Sequence, residues 1–217
     1  MGIFDNQLHR WAGVLRPISL VALMLALCGC GDDARTVGGK GVAGDYAALV
    51  NLRPRMLDVV TLDIYEDFTC PACQHFSLET LPALERRYGD ALVVRVHYVA
   101  APSMQPDALA LYSIANARGE GEKVAHALWE AGLEHRVTPD NQERVRRVAQ
   151  RFHLGAELQL ALNDQAKMGE VSRSWLKVAH KVSHLPFVEI EGEVATNGNG
   201  SNLESILDSL LREPPSP

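Results

Sequence analysis

The feature that most constrains this chain is a pair of cysteines where an apolar strand gives way to a helix. The run Cys70-Pro71-Ala72-Cys73 follows residues 59–65, whose β-branched content and rough alternation predict a strand. It opens residues 73–88, which have helical composition and stop at Gly89, a residue suited to a helix C-terminus. This junction predicts an α/β fold organised around the two thiols.

The positions of the two cysteines predict reactive thiols. Pro71 falls in the first helical turn, where its missing N–H costs nothing. Cys70 then lies at the helix N-terminus, where free N–H groups and the helix dipole stabilise a thiolate and lower the thiol pKa. Cys73 is one turn further on the same side and can form a disulfide with Cys70. We interpret Cys70 as the nucleophile and Cys73 as the resolving thiol of a redox-active dithiol.

The order of elements predicts one sheet interrupted by a helical block. Residues 91–99 form the most continuous apolar run, and we expect a central strand covered on both faces. Residues 107–181 have helical patterns and no strand character. Strand character returns at 187–190 and 193–196, as a hairpin before a last amphipathic helix, 203–211. The sequence thus predicts a βαβ unit and a ββα unit in one sheet, with a helical domain inserted between them.

Three local features need separate interpretation. Residues 46–50 fit either a short helix or an edge strand. Pro82 lies inside the helix that follows the cysteines and should kink it. Trp129 and Trp175 fall on apolar helix faces, and we expect both in the core of the helical insertion.

The N-terminal residues indicate export from the cytoplasm. Residues 1–29 begin with a basic region, continue with the apolar run 18–27 and end in small residues, as a signal peptide does. The apolar run is short for a transmembrane helix, and an uncleaved anchor helix is the alternative. Residues 30–44 are glycine-rich and predict a flexible tether, and residues 213–217 predict a disordered tail.

Charge and cysteine content exclude several functions. The chain of 217 residues has a formal net charge of −6 and no uncompensated basic block, which argues against nucleic-acid binding. A Cys-x-x-Cys motif is also half of a zinc site, but the other two cysteines, Cys28 and Cys30, follow the apolar run and supply no second pair in the domain. We therefore expect neither a metal nor a cofactor.

The end of the apolar run resembles the lipobox of bacterial lipoproteins. The residues that carry the resemblance are Leu27-Cys28-Gly29-Cys30. The resemblance implies that Cys30 is the lipidated first residue of the mature chain. It also implies that the domain lies in the periplasm, anchored by lipid to a bacterial membrane.

Two further runs resemble DsbA-like members of the thioredoxin superfamily. Residues 67–73, DFTCPAC, are similar to the DF-x-C-P-x-C active site of that group, and residues 185–192 are similar to its segment in which a cis-proline faces the dithiol. The resemblance implies an α/β, thioredoxin-like fold, with a central mixed sheet flanked by helices. Its two parts would be residues 45–102 and 183–212, separated by an inserted helical domain, 103–182.

The same resemblance implies roles for individual residues. Pro186 would be the cis-proline and would present the backbone of Leu185 to an extended substrate, while Pro71 and Ala72 would tune the redox potential. The family often has a buried acid six residues before the first cysteine, where this chain has Ile64. Proton transfer would then use water or one of the nearby acids, Asp63, Glu66 or Asp67.

The implied activity is thiol–disulfide exchange with cysteines of secreted proteins or peptides. A membrane redox partner would recycle the dithiol. The apolar Leu185 favours an oxidase, and a disulfide reductase or isomerase is the alternative within the class. A second alternative is a non-enzymatic lipoprotein that uses the same scaffold as a binding module or metal chaperone.

Overall fold

The computed structural model describes residues 42–50, 56–102, 105–136 and 138–212. They all belong to the second of two compact units, Arg35–Pro217. The predicted signal peptide, Cys30, most of the tether and the C-terminal tail lie outside the described residues. No helix within the described ranges is both long enough and apolar enough to cross a membrane.

A five-stranded mixed sheet forms the centre of the described structure, in the order β1-β5-β4-β2-β3. Strand β2 pairs in parallel with β3 on one side and antiparallel with β4 on the other. The strands are β1 (Ala47–Ala48), β2 (Val60–Glu66), β3 (Leu92–Tyr98), β4 (Phe187–Ile190) and β5 (Val194–Asn197).

Most helices lie between β3 and β4 in the chain, and the described residues of this stretch contain no strand. This arrangement confirms the α/β, thioredoxin-like fold with an inserted helical domain. The helices are α1 (Pro71–His75), α2 (Leu81–Tyr88), α3 (Asp107–Asn116), α4 (Gly121–Glu130), α5 (Pro139–Arg151), α6 (Gly155–Asn163), α7 (Gln165–Ser172) and α8 (Gly200–Leu210).

Strand β2 lies inside the sheet between β4 and β3, and the prediction of a central strand at 91–99 was wrong. Strand β3 lies at the edge of the sheet, where Val93 is 40% exposed. Arg95 and His97 follow Val93 at every second position and share its face, because side chains alternate along a strand. Those polar residues mark a strand with one open face.

Buried side chains form two main clusters that meet at the helix after Cys70. One cluster fills the helical insertion and includes Phe68 and Cys73. The other lies between one face of the sheet and helices α2 and α8, and includes Phe76. Because Cys73 and Phe76 belong to different clusters, the helix that carries the dithiol is fixed by both cores.

The helix after the cysteines changes its winding before Pro82. A π-helical turn, Phe76–Thr80, separates α1 from α2, and Pro82 is the second residue of α2. Proline has no N–H to donate and its ring crowds the preceding turn, so a widened turn at this point has a local cause. The interruption lies where the sequence predicts a kink.

The first described residues pack against α8 and β5. Strand β1 pairs antiparallel with β5, so within residues 46–50 Ala47–Ala48 form a short edge strand rather than a helix. The Ala43 N–H donates to Ser209 Oγ at 3.1 Å. Gly44 has φ of +101°, and a Cβ there would lie 2.8 Å from Asn202 Oδ1. Residues 42–44, which the sequence analysis assigned to the end of the tether, are therefore already packed against the folded domain.

Candidate active site

The two cysteines occupy the first turn of α1 as free thiols. Cys70 is the N-cap of the helix, and its Sγ accepts a hydrogen bond from the Cys73 N–H at 3.3 Å. Pro71 begins the helix, where no intrahelical N–H bond is lost. Cys70 is partly exposed, whereas Cys73 is fully buried. Only the first cysteine is therefore open to a macromolecular substrate.

The surroundings separate the acidities of the two thiols. Hydrogen bonding from the Cys73 thiol, helped by the N–H groups of Cys73 and Ala72, lowers the pKa of Cys70 to about 7, against the opposing effect of burial. Burial raises the pKa of Cys73, and the neighbouring Cys70 raises it further. Near neutral pH about half of Cys70 is therefore thiolate while Cys73 remains a thiol, which suits Cys70 as the nucleophile.

The segment before β4 places a backbone carbonyl beside Cys70. The Leu185–Pro186 peptide bond is cis. In its thiol form Cys70 donates through Sγ to the Leu185 carbonyl oxygen at 3.8 Å. Pro186 is buried, while Leu185 is partly exposed beside the dithiol. The backbone at Leu185 can therefore meet a substrate chain bound at Cys70.

Gly198 supports this segment from behind, and the sequence did not single it out. A Cβ at Gly198 would lie 2.5 Å from Pro186 Cγ and 2.8 Å from Phe76 Cδ2. Real Cβ atoms do not approach so closely, so any larger residue would displace the proline ring or the phenyl ring. Gly198 thus lets the loop before α8 pack directly on Pro186 and on the helix that carries the cysteines.

Glu66 is the buried acid of the site. Its side chain is fully buried, and Ser77 Oγ lies 2.7 Å from Oε2 and 2.9 Å from Oε1. Burial raises the pKa of Glu66 to about 8, against the lowering effect of the Ser77 hydrogen bond. The negative charge of Glu66 in turn contributes to the raised pKa of Cys73. The carboxyl group is therefore within electrostatic reach of the resolving thiol.

The sequence contained a signal for Glu66 that motif comparison did not use. Residues two apart on a strand point to the same face. Ile64 occupies the position at which the family often has its acid, and Glu66 follows it by two residues on β2. Both side chains are fully buried. Glu66 therefore lies two residues after the position at which the family often has its acid, and its carboxyl group is on the same face of the sheet.

Asp67 builds the loop before the dithiol. Its carboxylate accepts from the N–H and the hydroxyl of Thr69, at 2.8 and 2.6 Å, and from the Ala101 N–H at 2.8 Å. Burial raises the pKa of Asp67, and these three hydrogen bonds oppose the rise. With its oxygens occupied by structural donors, Asp67 fixes the loop between β2 and Cys70. Asp63 instead contacts His97 on the open face of the sheet.

The remaining predicted residues divide between the site and its surroundings. Ala72 is exposed, and only its backbone N–H acts on Cys70. Trp129 is buried in the helical insertion, which confirms its prediction. Trp175 was assigned wrongly, because it is half-buried against sheet residues near Tyr65. Its place after the end of α7 brings it back to the sheet.

Among the described residues no three His, Cys, Asp or Glu side chains are grouped to hold a metal.

A mixed sheet flanked by helices, with a Cys-x-x-Cys dithiol that faces a cis-proline, is the arrangement expected of a thioredoxin-like protein. A thioredoxin family model matches residues 59–209, which span both anchors of the site. The chain belongs to the thioredoxin family.

Solved structures show the same fold at low sequence identity. α-DsbA1 of Wolbachia pipientis is 14% identical, with 75% of this chain and 93% of that chain covered and a TM-score of 0.59. A probable DsbA oxidoreductase of Streptomyces coelicolor is 14% identical, with 73% and 93% covered and a TM-score of 0.56. Oxidised BdbD of Bacillus subtilis is 12% identical, with 71% and 88% covered and a TM-score of 0.56. A comparison with curated protein sequences found no match.

Proposed function

We propose that the protein is a thiol–disulfide oxidoreductase of DsbA-like type that acts on cysteines of secreted proteins. The observation that carries the proposal is the state of Cys70. Its pKa is lowered to about 7, the residue is partly exposed, and its Sγ lies 3.8 Å from the Leu185 carbonyl oxygen. A binding module or a metal chaperone has no need of this combination, whereas an exchanging dithiol depends on it.

Substrate oxidation would run in two exchange steps. A substrate thiolate attacks Cys70 Sγ of the oxidised protein, the bond between Cys70 and Cys73 breaks, and Cys73 leaves with the electron pair. Because its pKa is raised, Cys73 takes up a proton, for which Glu66 is the buried source. A second substrate thiolate then attacks the substrate sulfur of the mixed disulfide, and Cys70 leaves as a thiolate. Two electrons pass from the substrate to the dithiol.

A low pKa at Cys70 favours the oxidase direction, because it stabilises the reduced form of the protein. The pKa of about 7 equals the value of about 7 for thioredoxin and exceeds the value of about 3.5 for DsbA. We therefore expect an oxidant weaker than the strongest members of the family. A reductase or isomerase would differ in the equilibrium potential of the Cys70–Cys73 couple, which glutathione titration measures.

The proposed location is the periplasmic side of a bacterial membrane. The support is the lipobox-like run that ends at Cys30 and the glycine-rich residues that follow it. A membrane redox partner would accept the two electrons and restore the disulfide. Fatty-acid labelling of the full chain and of Cys30→Ala tests the anchor: label that persists without Cys30 would reject it.

Oxidation of a reduced peptide by the oxidised protein tests the enzymatic proposal. The full chain in its oxidised form is mixed with a peptide that carries two thiols, and peptide disulfide is quantified. We expect one equivalent of oxidised peptide per protein, and none with Cys70→Ser. Equal yields from the wild type and the variant would reject the proposal, since the reaction would then not pass through Cys70.

A further inference from the structure

The Ser77 hydroxyl group is the hydrogen-bond partner of the buried acid Glu66. Ser77 Oγ lies 2.7 Å from Oε2 and 2.9 Å from Oε1 of Glu66. Glu66 is fully buried, whereas Ser77 is partly exposed. Among the described residues no other side chain and no backbone N–H donates to this carboxyl group. Within the described structure, one neutral hydroxyl group thus provides the hydrogen bonding of the acid.

Ser77 belongs to the helical segment that carries the dithiol. It follows Cys73 by four residues, and side chains four residues apart lie on the same side of a helix, about one turn from each other. Glu66 faces both positions. It is hydrogen-bonded to Ser77, and its negative charge adds to the effect of burial in raising the pKa of Cys73. The carboxyl group therefore has the resolving thiol and the Ser77 hydroxyl as neighbours.

Burial and the hydroxyl group act on Glu66 in opposite directions. Burial favours the neutral acid and outweighs the Ser77 hydrogen bond, which favours the carboxylate, so the pKa of Glu66 is raised to about 8. Because Ser77 Oγ is within reach of both carboxyl oxygens, it also restricts the rotation of the carboxyl group. Without the hydroxyl group, Glu66 would hold its proton more tightly and would lose its fixed orientation.

We propose that Ser77 is a positioning residue that prepares Glu66 to transfer its proton to Cys73. The proposal rests on the proposed function and concerns its first exchange step. When a substrate thiolate attacks Cys70 and the disulfide breaks, Cys73 leaves with the electron pair and takes the proton of Glu66. One negative charge thereby moves from the substrate sulfur to the Glu66 carboxylate, to which the Ser77 hydroxyl donates. Water from the solvent afterwards returns a proton to Glu66.

The titratable groups around Glu66 are less suited to this role than Ser77. The negative charge of Cys70 adds to the effect of burial and raises the pKa of Glu66 further. Tyr98 lies opposite Glu66 in the pairing of β2 with β3, and its own pKa is raised, mainly by burial. Asp67 already accepts three hydrogen bonds within its loop and from Ala101. Replacing Ser77, in contrast, changes no charge in the site.

Three substitutions isolate the hydroxyl group. Ser77→Ala removes it, and Ser77→Thr keeps it. Ser209→Ala is the matched control, because Ser209 is also a partly exposed serine on a helix, with its hydroxyl group donating to the Ile206 carbonyl oxygen at 2.7 Å. Combining Ser77→Ala with Glu66→Gln completes a double-mutant cycle. Urea unfolding of each variant establishes that it is folded under the assay conditions.

The first measurement is the single-turnover rate at pH 7 with which the oxidised full chain oxidises a dithiol peptide. A hydrogen bond to a charged group changes an equilibrium by about tenfold or more, so we expect Ser77→Ala to lower the rate at saturating peptide by about tenfold. The half-saturating concentration should stay unchanged, because Ser77 does not touch the substrate. Ser77→Thr and Ser209→Ala should react like the wild type. In the Glu66→Gln background, Ser77→Ala should have no further effect.

The second measurement is the pH dependence of the same rate. The ratio of the wild-type rate to the Glu66→Gln rate should decrease with a midpoint near pH 8. Ser77→Ala removes a hydrogen bond that favours the carboxylate, so the corresponding ratio in that background should decrease at higher pH.

Several outcomes would overturn the proposal. They are an unchanged rate or midpoint in Ser77→Ala, an equal loss of rate with Glu66 and with Gln at that position, and a Ser77→Thr variant as slow as Ser77→Ala. Failure of the wild type to oxidise any peptide would instead reject the proposed function.

Discussion

At the scale of single residues, Glu66 is a buried acid that keeps its proton near neutral pH. The Ser77 hydroxyl lies 2.7 and 2.9 Å from the two carboxyl oxygens, and its hydrogen bond favours the ionised form. Burial acts in the opposite direction and outweighs that hydrogen bond. The pKa of about 8 gives the neutral form at pH 7. Glu66 therefore holds a proton that the departing Cys73 thiolate needs.

Glu66→Gln should slow exchange without disturbing the nucleophile. Glutamine keeps the volume of the side chain but cannot transfer a proton, and general acid–base steps contribute about 10²–10⁴-fold. We expect the rate of peptide oxidation at pH 7 to fall by about 10²-fold, measured by rapid-quench single turnover between pH 6 and 9. The control is Glu79→Gln, because Glu79 is an exposed acid in the helical turn Phe76–Thr80. A rate and pH profile equal to the wild type would remove Glu66 from the mechanism.

At the scale of elements, the site depends on contacts between segments far apart in the chain. The sequence identified the dithiol and Pro186 as separate motifs, and only the family resemblance related them. Position Gly198 could not be anticipated, since its role is the absence of a side chain against Pro186 and Phe76. The edge position of β3 was misjudged from hydrophobicity, although Arg95 and His97 carried the alternation of a half-open strand.

Gly198→Ala should weaken both the fold and substrate binding. The added methyl group must displace Pro186 or Phe76, which moves the Leu185 carbonyl relative to Cys70, and overpacking of this kind costs about 1–3 kcal/mol. We expect the free energy of unfolding to fall by that amount and kcat/KM for peptides to fall by about tenfold.

Gly200→Ala is the matched comparison for Gly198→Ala. Its Cβ would lie 3.2 Å from Thr80 Cγ2, a contact that a small shift relieves. Urea unfolding and peptide kinetics on both variants separate the two positions. Equal losses in both variants would show that the packing of Pro186 is not what Gly198 provides.

At the scale of the whole molecule, most of the architecture was predictable because local signals agreed with one another. Caps, turns and apolar periods placed the helical insertion and the hairpin β4–β5 correctly. Electrostatics were not predictable to the same extent, because the burial that raises the pKa of Glu66 arises from packing of β2 against distant helices. Trp175 was misassigned for the same reason, because an apolar helix face in the sequence does not show which hydrophobic core it packs against.

The burial of Glu66 also predicts how stability changes with pH. Its pKa is about 8 in the folded protein and 4.5 as an unperturbed carboxyl, so the folded state holds a proton that the unfolded state releases. This contribution is complete below pH 4.5 and is lost as pH rises through 8. Between pH 5 and 7, Glu66 should lower the free energy of unfolding by about 1.4 kcal/mol per pH unit.

Urea unfolding of the reduced protein at pH 5, 6 and 7 measures this slope. Glu66→Gln should remove it, so the difference between wild type and variant isolates the one carboxyl from other titrating groups. The opposite contribution of Cys70, whose folded pKa is lowered to about 7 from 9, increases stability only above pH 7. A difference between wild type and variant that does not change from pH 5 to 7 would show that Glu66 is ionised in the folded protein.

Trapping of the mixed disulfide tests the role of Cys70 most directly. In Cys73→Ser, attack by the Cys70 thiolate on a peptide disulfide releases one peptide thiol and leaves the other peptide half attached to Cys70. We expect one adduct per chain, located at Cys70 by peptide mapping. Because the serine hydroxyl keeps a hydrogen-bond donor at position 73, the rate should rise with pH to a midpoint near 7. No adduct at Cys70, or a midpoint near the ordinary thiol value of 9, would contradict its assignment as the activated nucleophile.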